Sequence, residues 1–442
     1  MTIALISIGI LVVMVFLGVN ISFSLSLMSF CGVFFVSGNF NRALGLLATT
    51  AFDAIRSYTF CVIPLFMLMG SLMAKSGAAE DLFKFANYFV KKIPGGLAIA
   101  TVLGNAVFAA VTGVSVASAS VFSKIAVPEM SKFNYKKSFA VGTVAGTSVL
   151  GMLIPPSLLF IVYGMVAEVS IGKMFMAGIL PGIVLSFIFI AGILVMGWID
   201  PANIGRSRTD GGGTAAKVET PDSQNEEMLL FKTFPIIAII IIVLGGIWGG
   251  IFTPTEASAV GALGALILAL CKRSMSPKDL MHLFLEATDS CASIMFLLIS
   301  AQTYSRMLAM SGVVSWVGKA ILSMDVHYSV IIGVFLFLIL LLGCILDSTS
   351  ILLLTVPIIR PVIAGLGFDL IWFGIVLVVA VEMGMLTPPF GMVVFAIKSA
   401  LGDEIALDTI FKGSVPYLVM MLVGLLILIV FPSISTFIPS LM

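Results

Sequence analysis

The groups in this chain that could do chemistry are few, uncharged for the most part, and occur in matching pairs. Thr112-Gly113-Val114-Ser115 lies at the centre of an uncharged run, Ile93 to Ser123. Asp347-Ser348-Thr349-Ser350 lies at the centre of a second apolar run, Ser329 to Ala364. Between and after them, Gly151 to Leu158 reads GMLIPPSL and Gly384 to Gly391 reads GMLTPPFG. A proline donates no amide and clashes with the turn before it, so Pro155-Pro156 and Pro388-Pro389 each unwind a helix. The carbonyls so freed, with Ser148, Thr387 and the hydroxyls above, are hard oxygen ligands that suit an alkali cation. Freed helix N-termini in the same place favour an anion. Both kinds of group together suit a small anion that moves with sodium. Two plainer readings stand beside this one: a proline kink that serves packing, and hydroxyls that bond back to their own helix.

The pairing extends beyond these motifs. Ser76-Gly77 is answered by Ser311-Gly312, Thr112 to Ser115 by Leu346 to Thr349, and Met152-Leu153 by Met385-Leu386. The landmarks keep their order and a nearly constant spacing, so the unit is duplicated. Interrupted hydrophobic segments at corresponding positions of two halves point to a transporter's binding site. Two intramembrane acids, Asp347 and Glu382, are functional candidates because burying them is costly. Glu382 could carry a proton, bind a cation, or pair with Arg360.

Composition sets the class. Of 442 residues, 60% are hydrophobic and 10% charged, against about a quarter charged in a soluble domain. The chain is a polytopic, all-α membrane protein, and its net charge of +1 argues against a nucleic-acid partner. Two histidines cannot supply a triad or a histidine metal site, so an intramembrane enzyme is disfavoured. The paired hairpins and the lack of a charged or carbonyl-ring pore disfavour a channel. No GxxxxGK[ST] segment exists, which leaves an ion gradient as the driving force. The five cysteines lie in or beside apolar segments and read as buried small hydrophobes. The N-terminus has no basic start before its apolar run, so the first segment is expected to stay in the mature chain.

Basic residues then set the topology. Residues 1–58 form N-terminal scaffold helices, with a turn at Gly18-Val19-Asn20. Gly77 to Ile93 is amphipathic and reads as a helix at the membrane surface, or one packed on a partner domain. Lys75, Lys84, Lys91 and Lys92 precede Ile93 to Ser123; Lys124, Lys132, Lys136 and Lys137 follow it. The positive-inside rule places both flanks in the cytoplasm, so the segment between them is a re-entrant hairpin. The first repeat is thus 59–200, with a hairpin at 96–131 and a broken helix at 138–167. A polar stretch, 201–233, reads as a cytoplasmic linker. Scaffold helices follow at 234–289. The second repeat, 290–412, carries a hairpin at 329–364, entering from the opposite side, and a broken helix at 371–396. A last helix occupies 413–442. The expected fold is an inverted repeat with two re-entrant hairpins and two broken transmembrane helices.

At this point the motifs resemble a known family. GGLAIATVLGNAVFAAVTGVSVASA, GMLIPPSLLFIVYG, GIFTPTEASAVGA, CILDSTSILLLTVPIIRP and VEMGMLTPPFG resemble the signature blocks of the large membrane subunit of tripartite ATP-independent periplasmic (TRAP) transporters. The resemblance covers essentially the whole chain. It implies an elevator-type secondary transporter of the bacterial inner membrane, with sodium as coupling ion and no other cofactor. It also implies two partners, a small four-helix membrane subunit and a periplasmic substrate-binding protein that captures an organic acid. Sodium is then expected at Thr112, Ser115 and Gly151, and at Asp347, Ser348, Thr349, Gly384 and Thr387. The organic acid is expected among Val114, Ser148, Pro155, Pro156, Ser350, Glu382, Pro388 and Pro389. A self-sufficient sodium- or proton-coupled organic anion symporter is the alternative.

The topology has a direct check. Single cysteines at Lys91 and Ser131 are expected to react with an impermeant thiol reagent from the cytoplasmic side only. Labelling of either from outside would turn Ile93 to Ser123 into a plain span.

Overall fold

A computed structural model describes residues 2–205, 223–313, 316 and 327–442, and the regular elements among these residues are helices. Two apolar helices open the chain, α1 (Thr2–Phe16) and α2 (Ile21–Ser37), joined through Gly18, which adopts φ +80°. The amphipathic α3 (Phe40–Arg56) follows, and then α4 (Val62–Lys75). Helix α4 packs along α13 (Pro254–Cys271), and α14 (Pro277–Met310) lies against α2, α3 and α4. These elements form one body, here the frame. Across the described residues, seven helices are long and apolar enough to cross a membrane, or eight counting one bent pair.

A second body is built from helix–turn–helix pairs and interrupted helices. Helices α6 (Gly96–Thr112) and α7 (Ser115–Lys132) meet at Gly113, whose φ of +64° is one that glycine adopts at little cost. The interrupted helix comprises α8 (Lys137–Ser148), the short α9 (Leu150–Leu153) and α10 (Leu158–Ala167), with a 42° bend across the break. The apolar α11 (Ile171–Ile199) completes the first half. After α12 (Ser223–Trp248), the second half repeats the plan. Helices α15 (Tyr328–Gly343) and α16 (Ser348–Gly365) form a pair, and α17 (Leu370–Leu386) and α18 (Met392–Leu401) an interrupted helix. Helix α16 is 67% buried over its apolar window, against 33–44% for the other long apolar helices, so it is an interior element.

The last long helix, α19 (Leu407–Val430), packs tightly along α8 through small residues. A methyl added to Gly142 would lie 2.1 Å from the Gly413 carbonyl oxygen, and one added to Gly146 would meet the Tyr417 ring at 2.2 Å. That close approach brings the Thr143 Oγ1 and Tyr417 hydroxyls to 2.8 Å. In an apolar solvent, small residues that let backbones meet drive such association.

Five expectations change. The separate C-terminal unit at 413–442 is instead part of a helix that starts at Leu407 and belongs to the first interrupted helix's surroundings. The boundary between 289 and 290 falls inside the continuous α14, where an unbroken apolar pattern carries the helix through. The linker at 201–233 is shorter at both ends: residues 201–205 form a turn that buries Ile204, and α12 starts at Ser223. Its core, 206–222, lies outside the described residues, as do Lys319 and Asp325 of the second half. Helix α5 (Ala78–Val90) spends its apolar face, Leu82, Phe83, Ala86 and Val90, on the neighbouring α6 rather than at a free surface, although Phe89 stays exposed. Two cysteines, Cys61 and Cys271, are exposed and not buried as expected.

The Gly142–Gly413 contact makes a testable claim. Gly142→Ala is expected to lower stability by about 1–3 kcal/mol, as overpacking does. Gly45→Ala, which meets nothing within 4 Å, is expected to be neutral or stabilising. Melting of the two variants in detergent separates them, and equal melting would mean that the two helices do not touch.

Candidate functional site

The prolines fix which backbone groups are freed. Pro155 and Pro156 cannot donate to the carbonyls four residues earlier, Gly151 and Met152; Pro388 and Pro389 fail Gly384 and Met385 in the same way, but the Thr387 amide takes the Gly384 carbonyl at 3.0 Å. Both Pro–Pro peptide bonds are cis. In the first half, neighbouring groups answer the break. Ser157 Oγ donates to the Met152 carbonyl at 2.5 Å, and the Leu158 amide donates to the Gly113 carbonyl at 3.2 Å. The tip of the α6–α7 pair is therefore docked into the break. A methyl on Gly113 would lie 2.5 Å from the Pro156 oxygen, and one on Gly151 would lie 3.1 Å from Ser115 Cα and N.

Behind this tip runs a buried polar chain. Ser118 Oγ donates to Asn105 Oδ1 at 2.7 Å, and Asn105 Nδ2 donates to Thr147 Oγ1 at 2.7 Å. The network joins α7, α6 and α8 with every link hydrogen-bonded, which fixes their register. From the tip itself, Ser115 Oγ donates 2.6 Å to Glu382 Oε2 on α17. Glu382 is 1% exposed, and its other oxygen, Oε1, has no hydrogen-bond partner. The pairing of Glu382 with Arg360 does not occur. Arg360 reaches Glu168 at the end of α10 instead, at 2.7 Å, and so ties α16 to the first interrupted helix.

The second tip is arranged differently. Asp347 caps α16, accepting from the Ser350 amide at 3.0 Å and from the Ser350 hydroxyl. Helices α15 and α17 approach through Gly343 and Gly384, where a methyl on Gly384 would fall 2.6 Å from Gly343 Cα. Asp347, Thr349 and Ser350 line a cavity of about 530 Å³ against the α1–α2 turn and Ser293 of α14. Ser348 and Thr349 are buried.

The sequence candidates thus divide. Ser115, Val114, Gly151, Pro155, Pro156 and Glu382 come together. Asp347, Ser348, Thr349 and Ser350 cluster at the other tip, near Gly384. Thr112, Ser148 and Thr387 turn their hydroxyls to their own helices, on Phe108, Ala145 and Met383. The first break is buried, whereas Pro388 and Pro389 are exposed beside Phe390, which is 54% exposed. Sequence reasoning missed Asn105, Ser118, Thr147 and Ser157. Asn105 was legible as the one amide in the uncharged run, and Ser157 as the hydroxyl directly after the proline pair.

Two helical hairpins, the first docked on an interrupted helix, and a second interrupted helix with the same motif, within an apolar all-helical chain, are the architecture of a membrane transporter. Residues 8–434 match the family described as "Tripartite ATP-independent periplasmic transporter, DctM component", and the chain belongs to that family. It is a transporter permease and not an enzyme, a multi-pass integral protein of the bacterial inner membrane. It is similar to the C4-dicarboxylate TRAP transporter large permease protein DctM of Pseudomonas aeruginosa, 32% identical over 89% of each chain. The sialic acid TRAP transporter large permease protein SiaM of Vibrio cholerae is 28% identical over 97% of this chain and 96% of its own. The isethionate TRAP transporter permease protein DctMQ of Oleidesulfovibrio alaskensis is 29% identical over 88% of this chain but 59% of its own. Among solved structures, the YdaH transporter of Alcanivorax borkumensis has the same fold, with a TM-score of 0.64 at 14% identity over 89% of each chain.

Docking of the first tip generates a prediction. Gly113→Ala combines a positive φ with a clash on backbone, and is expected to impair uptake more than Gly151→Ala, whose added methyl meets contacts at 3.1 Å. Uptake in cells at matched expression measures this, and equal activity would mean that the tip is not held at the break.

Proposed function

We propose that this chain is the large membrane subunit through which a small organic acid anion enters the cell coupled to sodium. The acid is delivered by a periplasmic binding protein, and a small four-helix membrane subunit completes the assembly. The relatives described above are named for C4-dicarboxylates, sialic acid and isethionate, all of them organic acids. The observation that carries the reading is the docking of the first tip into the first break, joined by Ser115 to Glu382 of the second half. Residues of both halves thereby frame one site, where hydroxyls and freed carbonyls receive sodium and helix ends receive the carboxylate. Sodium is assigned to Thr112, Ser115 and Gly151 and to Asp347, Ser348, Thr349, Gly384 and Thr387. The Thr112 and Thr387 hydroxyls donate to carbonyls of their own helices, which leaves their oxygen lone pairs open to a cation.

The movement that fits is a rigid-body shift of the second body against the frame, with the hairpins re-entering from opposite faces. The seam is open on one side. A cavity of about 600 Å³ separates Asp53, Tyr58, Thr255 and Arg306 of the frame side from Met165 and Ser170 at the α10–α11 turn. Helix α19 and the Glu168–Arg360 pair travel with the moving body.

Two experiments test this. In liposomes with a sodium gradient, labelled organic acid is expected to enter only when the small subunit and the loaded binding protein accompany this chain. Robust uptake by the chain alone would make it a self-sufficient symporter. Ser115→Ala and Thr349→Ala are each expected to raise the sodium concentration for half-maximal uptake, since a lost neutral ligand costs on the order of 1–3 kcal/mol, or about 5–150-fold. An unchanged sodium dependence at normal expression would assign both hydroxyls to packing.

A further inference from the structure

The most costly group in the second body is the Glu382 side chain. It is 1% exposed near the C-terminal end of α17, its Oε2 accepts a single hydrogen bond from Ser115, and its Oε1 is buried with no partner. A carboxylate in such a place is strongly disfavoured unless a positive charge compensates it. Among the described residues, no basic side chain does so. Arg360 is paired with Glu168, Lys398 with Asp403 and Lys412 with Asp408. Lys132, on the hairpin that carries Ser115, is paired with Glu129.

What meets Ser115 is instead the Glu382 carboxyl and the backbone of the first break. Its own hydroxyl touches Glu382, and Gly151, whose carbonyl loses its helical donor to Pro155, abuts its backbone. Carboxylate, hydroxyl and carbonyl are the donors that a hard cation takes. We propose that Glu382 is the anionic member of the sodium site at the first tip, contributed by the second half of the chain to a site otherwise formed by the first. The orphaned Oε1 suits that role, because it is an acceptor that the protein leaves without a donor. A bound sodium ion supplies the missing positive charge there. The hydrogen bond to Ser115 orients the carboxyl and presents the tip hydroxyl beside it. Sodium occupancy then binds the first hairpin to the second interrupted helix electrostatically, so that the two halves of the moving body are joined most firmly when the ion is loaded.

This inference rests on the sodium reading above, and its test separates the two. The readout is the melting temperature of the purified chain in detergent as sodium replaces potassium at constant ionic strength. All proteins carry Thr349→Ala, which weakens the second tip, and the full chain without this change serves as the reference. The parent is expected to be stabilised by sodium and not by potassium. Glu382→Gln keeps the size and the acceptor for Ser115. It is expected to melt in potassium at or above the parent's temperature, because it removes an uncompensated buried charge, and to need at least tenfold more sodium for half its shift. Glu382→Asp keeps the charge but withdraws it, and is expected to fall between the two. If Glu382→Gln responds to sodium with the parent's midpoint, the carboxyl does not see the ion and this proposal is overturned, while the sodium reading stands. If the reference protein shows no response to sodium, the sodium reading itself fails. If the reference responds but the Thr349→Ala parent does not, the first tip holds no sodium, and this proposal is overturned alone.

Discussion

A helix broken inside a bilayer leaves backbone groups that lipid cannot satisfy, and the arrangement of this protein follows from where those groups find partners. The Pro155-Pro156 break strands the Gly151 and Met152 carbonyls. Ser157 takes one of them from within the same segment. The Leu158 amide, at the start of the resumed helix, reaches across to Gly113 at the tip of a separate hairpin. The hairpin is thus part of how the interrupted helix is made permissible. Its own tightness depends on Gly113, which turns the chain at positive φ and leaves the Pro156 oxygen room. Break and tip are one structure, each incomplete without the other.

From that junction outward, the contacts become progressively longer in range. The Ser118–Asn105–Thr147 chain holds α6, α7 and α8 together, and Gly142, Gly146 and Gly413 draw α19 onto α8. Ser115 then links the junction to Glu382 in the other half of the sequence, and Arg360 returns the link from that half to Glu168. With the Tyr163 hydroxyl, which donates to the Leu370 carbonyl at 2.6 Å, these cross-connections join the repeats. The second break has no comparable cover. Pro388 and Pro389 stay exposed, and the second tip looks into a cavity shared with α1, α2 and α14. The two halves carry the same motif in different surroundings.

Much of this was readable before any coordinates. The doubled GMLxPP motif and its flanks located both tips and both breaks, because prolines and glycines act locally and their effects do not depend on the partner. The residues proposed for the site lie on those elements, and the same motif marks them. What the sequence could not specify was pairing across the fold. Glu382 had Arg360 as a plausible partner by charge alone, but side-chain reach across helices is a tertiary fact, and a serine took the place. The amphipathic pattern at Gly77 to Ile93 was real, yet a hydrophobic stripe does not say whether lipid or α6 covers it. Helix α14 ran through an assigned boundary because a boundary between repeats need not coincide with a helix end. The small-residue stripe on α8 was visible, but its counterpart at Gly413 lies far along the chain.

In the movement proposed above, the first hairpin and both interrupted helices shift as one body against the α4–α13–α14 frame. The most direct test is a pair of distances between spin labels in a background without native cysteines. Lys124 on α7 and Ser399 on α18 report within the body, and Lys124 and the exposed Leu263 on α13 report across the seam. On moving from potassium to sodium plus organic acid, with the partner subunits present, the first distance is expected to keep its distribution while the second shifts or splits into two populations. A change in the first distance of the same size as in the second would contradict the account, because the tip, the breaks and Glu382 would then not move together.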